Sequence, residues 1–67
     1  MTKTVRKQIL VVRETGLTNM FDARTVQHIA FEMNFFDLVC FIDEHLKEYV
    51  HFIITGEAPD DPEDGEI

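Results

Sequence analysis

A chain of 67 residues has room for one small domain, which buries only about 60% of the surface that its unfolded chain exposes. The single cysteine, Cys40, excludes an internal disulfide, and together with the missing signal-peptide pattern it predicts a reducing, cytoplasmic setting. The net charge of −7 is unevenly spread, because six of the 13 acidic residues lie in residues 57–67, where nothing is basic.

The first predicted helix spans about residues 4–15, with Thr2 or Thr4 as its N-cap, and ends at Gly16. Its buried stripe is expected at helical spacing: Val5, Ile9 and Val12. Leu10 and Val11 fall outside that stripe, on the side that carries the basic residues. Single exposed aliphatic side chains are common, so these two are either simply exposed or belong to a surface that contacts another chain.

A loop over residues 16–21 separates the first helix from a second one, for which Asp22 is the expected N-cap. The second helix has an apolar stripe at helical spacing: Val26, Ile29, Ala30 and Met33. Asn34 tolerates the left-handed conformation and is the expected end of this helix.

The third predicted helix is long and covers about residues 35–54. Its apolar residues sweep roughly half of the helix circumference, whereas packing against one neighbour needs a stripe of about 100°. They are Leu38, Val39, Phe41, Ile42, Leu46, Tyr49, Val50, Phe52 and Ile53. Acidic and basic residues within this segment exclude a membrane span. The surplus apolar surface predicts contact with a second protein chain.

The sequence thus predicts an all-α fold: a small three-helix domain over residues 1–56 with a long C-terminal helix, followed by a disordered acidic tail over 57–67. The tail either is solvated or lies along the basic first helix, and repulsion between its like charges favours the solvated state. We expect a homodimer, and each residue of its expected interface is alternatively a plain core contact. The expected interface residues are Leu10, Val11, Phe41, His45, Tyr49, Val50 and Phe52.

Short runs along the chain resemble a family of short uncharacterised proteins found in phages and prophages of Firmicutes bacteria. These runs include 2–5, 8–10, 19–22, 26–27, 29–30, 38–39, 44–45, 47–49, 52–53 and 55–56. The resemblance covers about residues 2–57 and leaves out the acidic tail. It implies a phage-encoded protein that acts inside a bacterial cell, and it brings no catalytic or binding residues.

Residue types that support catalysis or metal binding are few. The chain has no serine, and His51, the histidine on the polar side with Cys40, lies about 16 Å farther along a continuous helix, too far to activate the thiol. Glu44, Glu48 and His51 have a spacing that could present metal ligands, but a solvated polar face gives the same pattern. There is also no glycine-rich phosphate loop. We therefore expect no enzyme, no cofactor and no metal.

Nucleic-acid binding is an alternative, because three short helices can form a dimeric helix-turn-helix regulator. The basic residues available for it are Arg6, Lys7, Arg13 and Arg24. A DNA-binding surface needs clustered cations, and the would-be reading helix supplies only Arg24, so this function is disfavoured.

The favoured interpretation is a small non-enzymatic module that binds and modulates a host or phage protein. A further alternative is an inhibitor of a bacterial defence system, which could mimic nucleic acid through the six acidic residues of 57–67.

Overall fold

The structure, a computed structural model, describes residues 1–57. Its helices are α1 (Lys3–Thr15), α2 (Ala23–Glu32), α3 (Phe36–Glu44) and α4 (Leu46–Thr55). No strand occurs within the described range, so the predicted all-α class is confirmed there. The predicted acidic tail lies outside the described residues except for Glu57. No helix within residues 1–57 is long and apolar enough to cross a membrane.

Helix α1 begins and ends where the local sequence predicts. The Thr2 hydroxyl oxygen accepts a hydrogen bond from the Val5 backbone N–H at 3.2 Å. Gly16 ends the helix with a left-handed φ of 65°, a conformation that costs glycine little because it has no Cβ. The three side chains of the predicted stripe, Val5, Ile9 and Val12, are all buried.

Helix α2 also has the predicted ends. One carboxylate oxygen of Asp22 accepts from the Thr25 backbone N–H at 3.3 Å, and the other accepts from the Thr25 hydroxyl at 2.8 Å. Asn34 follows the helix with a φ of 62°. Val26 and Ala30 are buried, and the other two residues of the predicted stripe pack against the core while partly exposed.

The prediction of one long third helix is wrong, because the chain leaves the helical conformation at His45 and forms two helices, α3 and α4. This residue has φ −133° and ψ 47°, outside the helical region. The His45 N–H still donates to the Phe41 carbonyl at 2.7 Å, and its carbonyl accepts from the Tyr49 N–H at 3.0 Å. The fold therefore has four helices, with a one-residue connection between the last two.

The break changes the environment of one polar side chain. In a continuous helix, His45 would lie between Ile42 and Tyr49 on the buried face. Placing an imidazole there without a hydrogen-bond partner would be costly. In the observed fold the ring is exposed, and its Nδ1 lies 3.6 Å from a Glu48 carboxylate oxygen. The bend removes this cost while the apolar residues on both sides of it stay buried.

All four helices and the first residue contribute to one core. Its members are Met1, Val5, Ile9, Val12, Val26, Ala30, Leu38, Phe41, Ile42, Tyr49 and Phe52.

Two glutamine side chains fix α3 in place. The Gln8 side-chain oxygen accepts from the Leu38 backbone N–H at 2.9 Å, which satisfies a first-turn donor of a helix that has no side-chain cap of its own. The Gln27 side-chain amide donates to the Val39 carbonyl, also at 2.9 Å. Helices α1 and α2 therefore each hold α3 by a side chain-to-backbone bond.

Candidate protein-interaction groove

Three of the expected interface residues lie inside the domain. Tyr49 is fully buried, and Phe41 and Phe52 are each only 8% exposed. The core alternative considered for these positions is therefore the observed one, although Phe52 also lines part of the groove described below. The apolar face of the long predicted helix was too wide to pack on one neighbour, but the bend at His45 lets its two halves pack separately.

The other expected interface residues remain accessible. Leu10 and Val11 are 43% and 42% exposed, His45 is exposed, and Val50 is partly buried against the core. A surface that contacts another protein has to consist of such solvent-accessible residues.

Tyr49 connects α4 to the loop between α1 and α2. Its buried hydroxyl donates to the Met20 backbone carbonyl at 2.7 Å. Burial raises the pKa of the Tyr49 phenol from 10.0 to about 12, because the phenolate would lose its hydration. The phenol therefore stays a hydrogen-bond donor at neutral pH and keeps the loop against α4.

The same loop presents an aromatic ring to solvent. The Asn19 side-chain oxygen accepts from the Phe21 N–H at 2.9 Å, and the Asn19 carbonyl accepts from the Asp22 N–H at 2.9 Å. This local turn is typical of asparagine, whose side chain bonds the backbone two residues later. It holds Phe21 with 58% of its surface exposed.

Helices α1 and α4 and this loop enclose an open groove of about 370 Å³. Its walls are mostly apolar, and the side chains that define it are Leu10, Arg13, Met20, Phe21, Phe52 and Ile53. A groove of this size, lined by apolar and aromatic groups with few polar ones, is typical of a binding site. It is wide enough for one or two side chains of another protein.

The α1 side of the groove carries positive charge. Arg13 is exposed and makes no ion pair with any carboxylate in residues 1–57. Two turns earlier on α1, the Arg6 guanidinium carbon lies 5.7 Å from the centroid of the Phe52 ring, a cation–π contact. An acidic group on a ligand would therefore find a partner at this rim.

Sequence reasoning missed most of the groove. Met20 and Phe21 belong to the segment that the sequence predicts to be a connecting loop, with Phe21 also expected to pack against Val26 as a hydrophobic staple at the start of the second helix. The available signal was a pair of large apolar residues in a loop directly before a helix cap, where polar residues are the norm.

A second, smaller cavity of about 200 Å³ lies between the start of α1 and α3. Asp37, Cys40, Glu44 and His45 line it, so His45 borders the same cavity as the exposed Cys40. Within the described residues, no group of three or more histidine, cysteine, aspartate or glutamate side chains is arranged to hold a metal ion. Glu44, Glu48 and His51, whose spacing was considered for metal binding and disfavoured, do not form such a group.

The basic residues considered for nucleic-acid binding do not form one surface. Arg24 donates to the Gln27 side-chain oxygen at 2.8 Å and lies 3.8 Å from an Asp43 carboxylate oxygen. Arg6 is directed toward Phe52. The remaining two, Lys7 and Arg13, are exposed and stand roughly 120° apart around α1.

The sequence profile of a family described as Domain of unknown function (DUF5049) matches residues 1–57. The match covers the whole of the described four-helix domain, and the chain belongs to this family. No curated protein and no solved structure matches the chain.

Proposed function

We propose that this DUF5049 domain is a non-enzymatic protein-interaction module that binds another protein through the groove between α1 and α4. The observation that carries the proposal is the groove itself: about 370 Å³, mostly apolar, and bordered by exposed Leu10 and Phe21. An open apolar surface on a small domain costs solubility, so such surfaces mark contact sites more often than chance exposure.

The groove fits an amphipathic helix with an acidic flank. Apolar side chains of the partner would fill the space between Leu10, Phe21 and Ile53, as in helix-in-groove recognition. A carboxylate beside them would pair with Arg13, which has no ion-pair partner among residues 1–57. The apolar contacts would supply affinity and the arginine would set orientation.

The setting we propose is a phage-encoded protein in the cytoplasm of a bacterial host, where it binds and modulates a host or phage protein. This part of the proposal is supported by the resemblance of residues 2–57 to short phage and prophage proteins. One candidate among such host proteins is a component of a bacterial defence system, which this chain would inhibit. Identification of the captured protein distinguishes it from other host or phage partners.

A comparison of three baits from the bacterial host tests the proposal. Tagged wild-type chain, Phe21→Asp and Phe31→Asp are each incubated with host lysate, and the bound proteins are identified by mass spectrometry. The two phenylalanines are equally exposed, at 58% and 57%, but only Phe21 lines the groove. Phe31 instead packs edge-on against Phe36, with ring centroids 5.6 Å apart.

We expect one protein to be enriched by wild type and by Phe31→Asp and to be lost with Phe21→Asp. Its binding should also weaken at least tenfold with Arg13→Glu, measured by calorimetry with the purified partner. Equal capture by all three baits would overturn the groove as the binding site, and equal loss with both aspartates would indicate unspecific apolar adhesion.

A further inference from the structure

The last helix ends at the wall of the groove. Gly56 follows α4 with a left-handed φ of 74°, and its N–H donates to the Phe52 carbonyl at 2.7 Å. Gly56 itself lines the groove, together with Phe52 and Ile53 of α4. The acidic residues 57–67 therefore start at the groove, with no spacer between them and its wall.

Local hydrogen bonds fix the direction in which the chain leaves α4. The Thr55 hydroxyl oxygen accepts from the Glu57 N–H at 3.1 Å. The left-handed conformation at Gly56 turns the chain away from the helix axis, so it does not continue along α4. The ten residues 58–67 can extend for about 33 Å, which exceeds the length of about 20 Å of the whole of α1. The acidic tail is therefore long enough to cross the groove.

The tail and the α1 side of the groove carry opposite charges. Residues 57–67 contain six acidic residues and nothing basic. Arg13 lines the groove, and Arg6 lies over the Phe52 ring of its wall. The two arginines are seven residues apart, about two turns, and therefore lie on the same side of α1. Cations beside the tail offset the repulsion between its carboxylates, which by itself favours a solvated tail.

We propose that the acidic tail folds back over the groove of its own chain, with its carboxylates against Arg13 and Arg6, and competes there with the acidic flank of a partner protein. The inference rests on the groove of the proposed function and adds the regulation of that site. Because the tail is tethered beside the groove, its effective concentration there is on the order of millimolar. Exposed ion pairs are individually weak, so we expect partial occupancy that a partner can displace.

The composition of the tail explains why a partner would displace it. Its only aliphatic side chains are those of Ala58 and Ile67, apart from two prolines, so it supplies charge but few apolar groups. An amphipathic helix with an acidic flank supplies both, and it fills the space between Leu10 and Ile53 as well as pairing with Arg13. The tail would therefore exclude ligands that are merely acidic and admit those that also have apolar anchors.

Paramagnetic relaxation in the full chain tests the docking. In a Cys40→Ser background, which removes the only cysteine, Gly65→Cys accepts a nitroxide label without changing the charge of the tail. The matched control carries the same label and a neutral tail of equal length. In it, four acidic residues are replaced by asparagine or glutamine: Asp60, Asp61, Glu63 and Asp64.

We expect the amides of Leu10, Phe21 and Ile53 to relax at least twofold faster with the acidic tail than with the neutral tail. The difference should vanish when salt is raised from about 0.1 M to about 1 M, because the screening length then falls from about 10 Å to about 3 Å. Equal relaxation with both tails at low salt would overturn the proposal. So would enhancement only between chains, seen when labelled chain is mixed with unlabelled ¹⁵N chain, because the tail would then bind a second copy.

Two substitutions on α1 test the position of the tail. Arg13→Gln and Lys7→Gln each remove one exposed cation, but Lys7 stands roughly 120° away around the helix and does not line the groove. Arg13→Gln should reduce the relaxation enhancement, and Lys7→Gln should leave it unchanged. An equal loss with both substitutions would show general attraction to α1 and contradict docking over the groove.

The competition is tested with the purified partner of the groove. Neutralising the tail should tighten its binding about threefold at low salt, because the tail then no longer occupies the rim. Unchanged affinity would overturn the competition. Capture of a partner that depends on Phe21, without docking of the tail, would contradict this inference alone. Docking of the tail without any captured partner would support the contact and contradict the proposed function.

Discussion

Tyr49 combines two contacts that the sequence pattern does not separate. Its ring belongs to the core, and its hydroxyl reaches the Met20 carbonyl, which is part of the groove wall. A phenylalanine in the same place would fill the core equally well but would leave that carbonyl without its donor. The Tyr49 hydroxyl therefore holds the loop that contains Met20, a residue of the groove wall, against α4.

The phenol of Tyr49 predicts a specific dependence of stability on pH. Burial raises its pKa to about 12, so in alkali the unfolded chain loses this proton first, at about 10. The tyrosine contribution is complete below pH 10 and is lost as the pH rises toward 12, by at most about 1.4 kcal/mol per pH unit. Urea unfolding of wild type and Tyr49→Phe at several pH values measures this loss of unfolding free energy. Only wild type should show the part that comes from the Tyr49 phenol.

Tyr49 is the only tyrosine and the chain has no tryptophan, so near-ultraviolet absorbance follows this phenol alone. A phenolate that forms in the folded protein at the ordinary pKa would contradict the buried hydrogen bond. At neutral pH we expect Tyr49→Phe to lower the free energy of unfolding by about 0.5–1.5 kcal/mol, the net contribution of a typical hydrogen bond.

At the scale of helices, the caps of α1 and α2 could be predicted from the sequence, but the bend at His45 could not. Thr2, Gly16 and Asp22 act within three or four residues of their own position, so their residue types suffice to predict the caps. His45 is neither proline nor glycine. Its residue type therefore gives no local signal for a break in the helix.

The groove was hidden from the sequence for a related reason. Helical periodicity places Leu10 and Ile53 on two separate helices, but it gives no information on the distance between them. Only the hydrogen bond from Tyr49 to Met20 and the turn at Asn19 bring the loop against both helices. Charge, by contrast, is readable from the sequence, and the basic character of α1 was apparent from it.

The cap of α2 offers a test at the scale of one helix. Asp22→Ala removes both hydrogen bonds to Thr25, and we expect a loss of about 0.5–2 kcal/mol in unfolding free energy. Asp22→Asn keeps a capping oxygen and should differ from wild type by a few tenths of a kcal/mol. Urea titration followed by circular dichroism measures all three.

Asp37→Ala is the control for loss of negative charge, because Asp37 lies in the first turn of α3, which has no side-chain cap. Its effect should be smaller than that of Asp22→Ala, within about 0.3–1 kcal/mol. Equal destabilisation by Asp22→Ala and Asp22→Asn would show that charge, not capping, supports this end of α2. Because Asp22 adjoins the loop, Asp22→Ala should also weaken binding in the groove.

Within residues 1–57, six of the eight exposed large apolar side chains lie in three places. Leu10 and Phe21 border the groove, Leu46 and Ile54 lie on α4, and Phe31 packs against Phe36. A domain that buries little of its surface loses solubility when it exposes such groups without use. The exposure of Leu10 and Phe21 beside one groove therefore favours contact with another protein chain at that place.

The distribution of charge over the whole molecule predicts the outcome for DNA. The chain carries a net charge of −7, and binding to a duplex requires several clustered cations that displace counterions. Arg24 is engaged by Asp43 and Gln27, and Arg6 faces Phe52, so two of the four candidate cations are already in use within the domain. We therefore expect no binding to duplex DNA in fluorescence anisotropy, at low or physiological salt.

A regulator would behave differently in the same titration. Its affinity for DNA would fall steeply as salt rises, with a slope proportional to the number of phosphates contacted. Such a slope, reduced by Lys7→Ala and Arg13→Ala together, would establish α1 as a nucleic-acid surface and contradict the role given to Arg13 in the groove. If the chain does not bind DNA, Arg13 at the groove rim is available to pair with an acidic group of a partner protein. The Arg13→Glu variant tests this pairing directly.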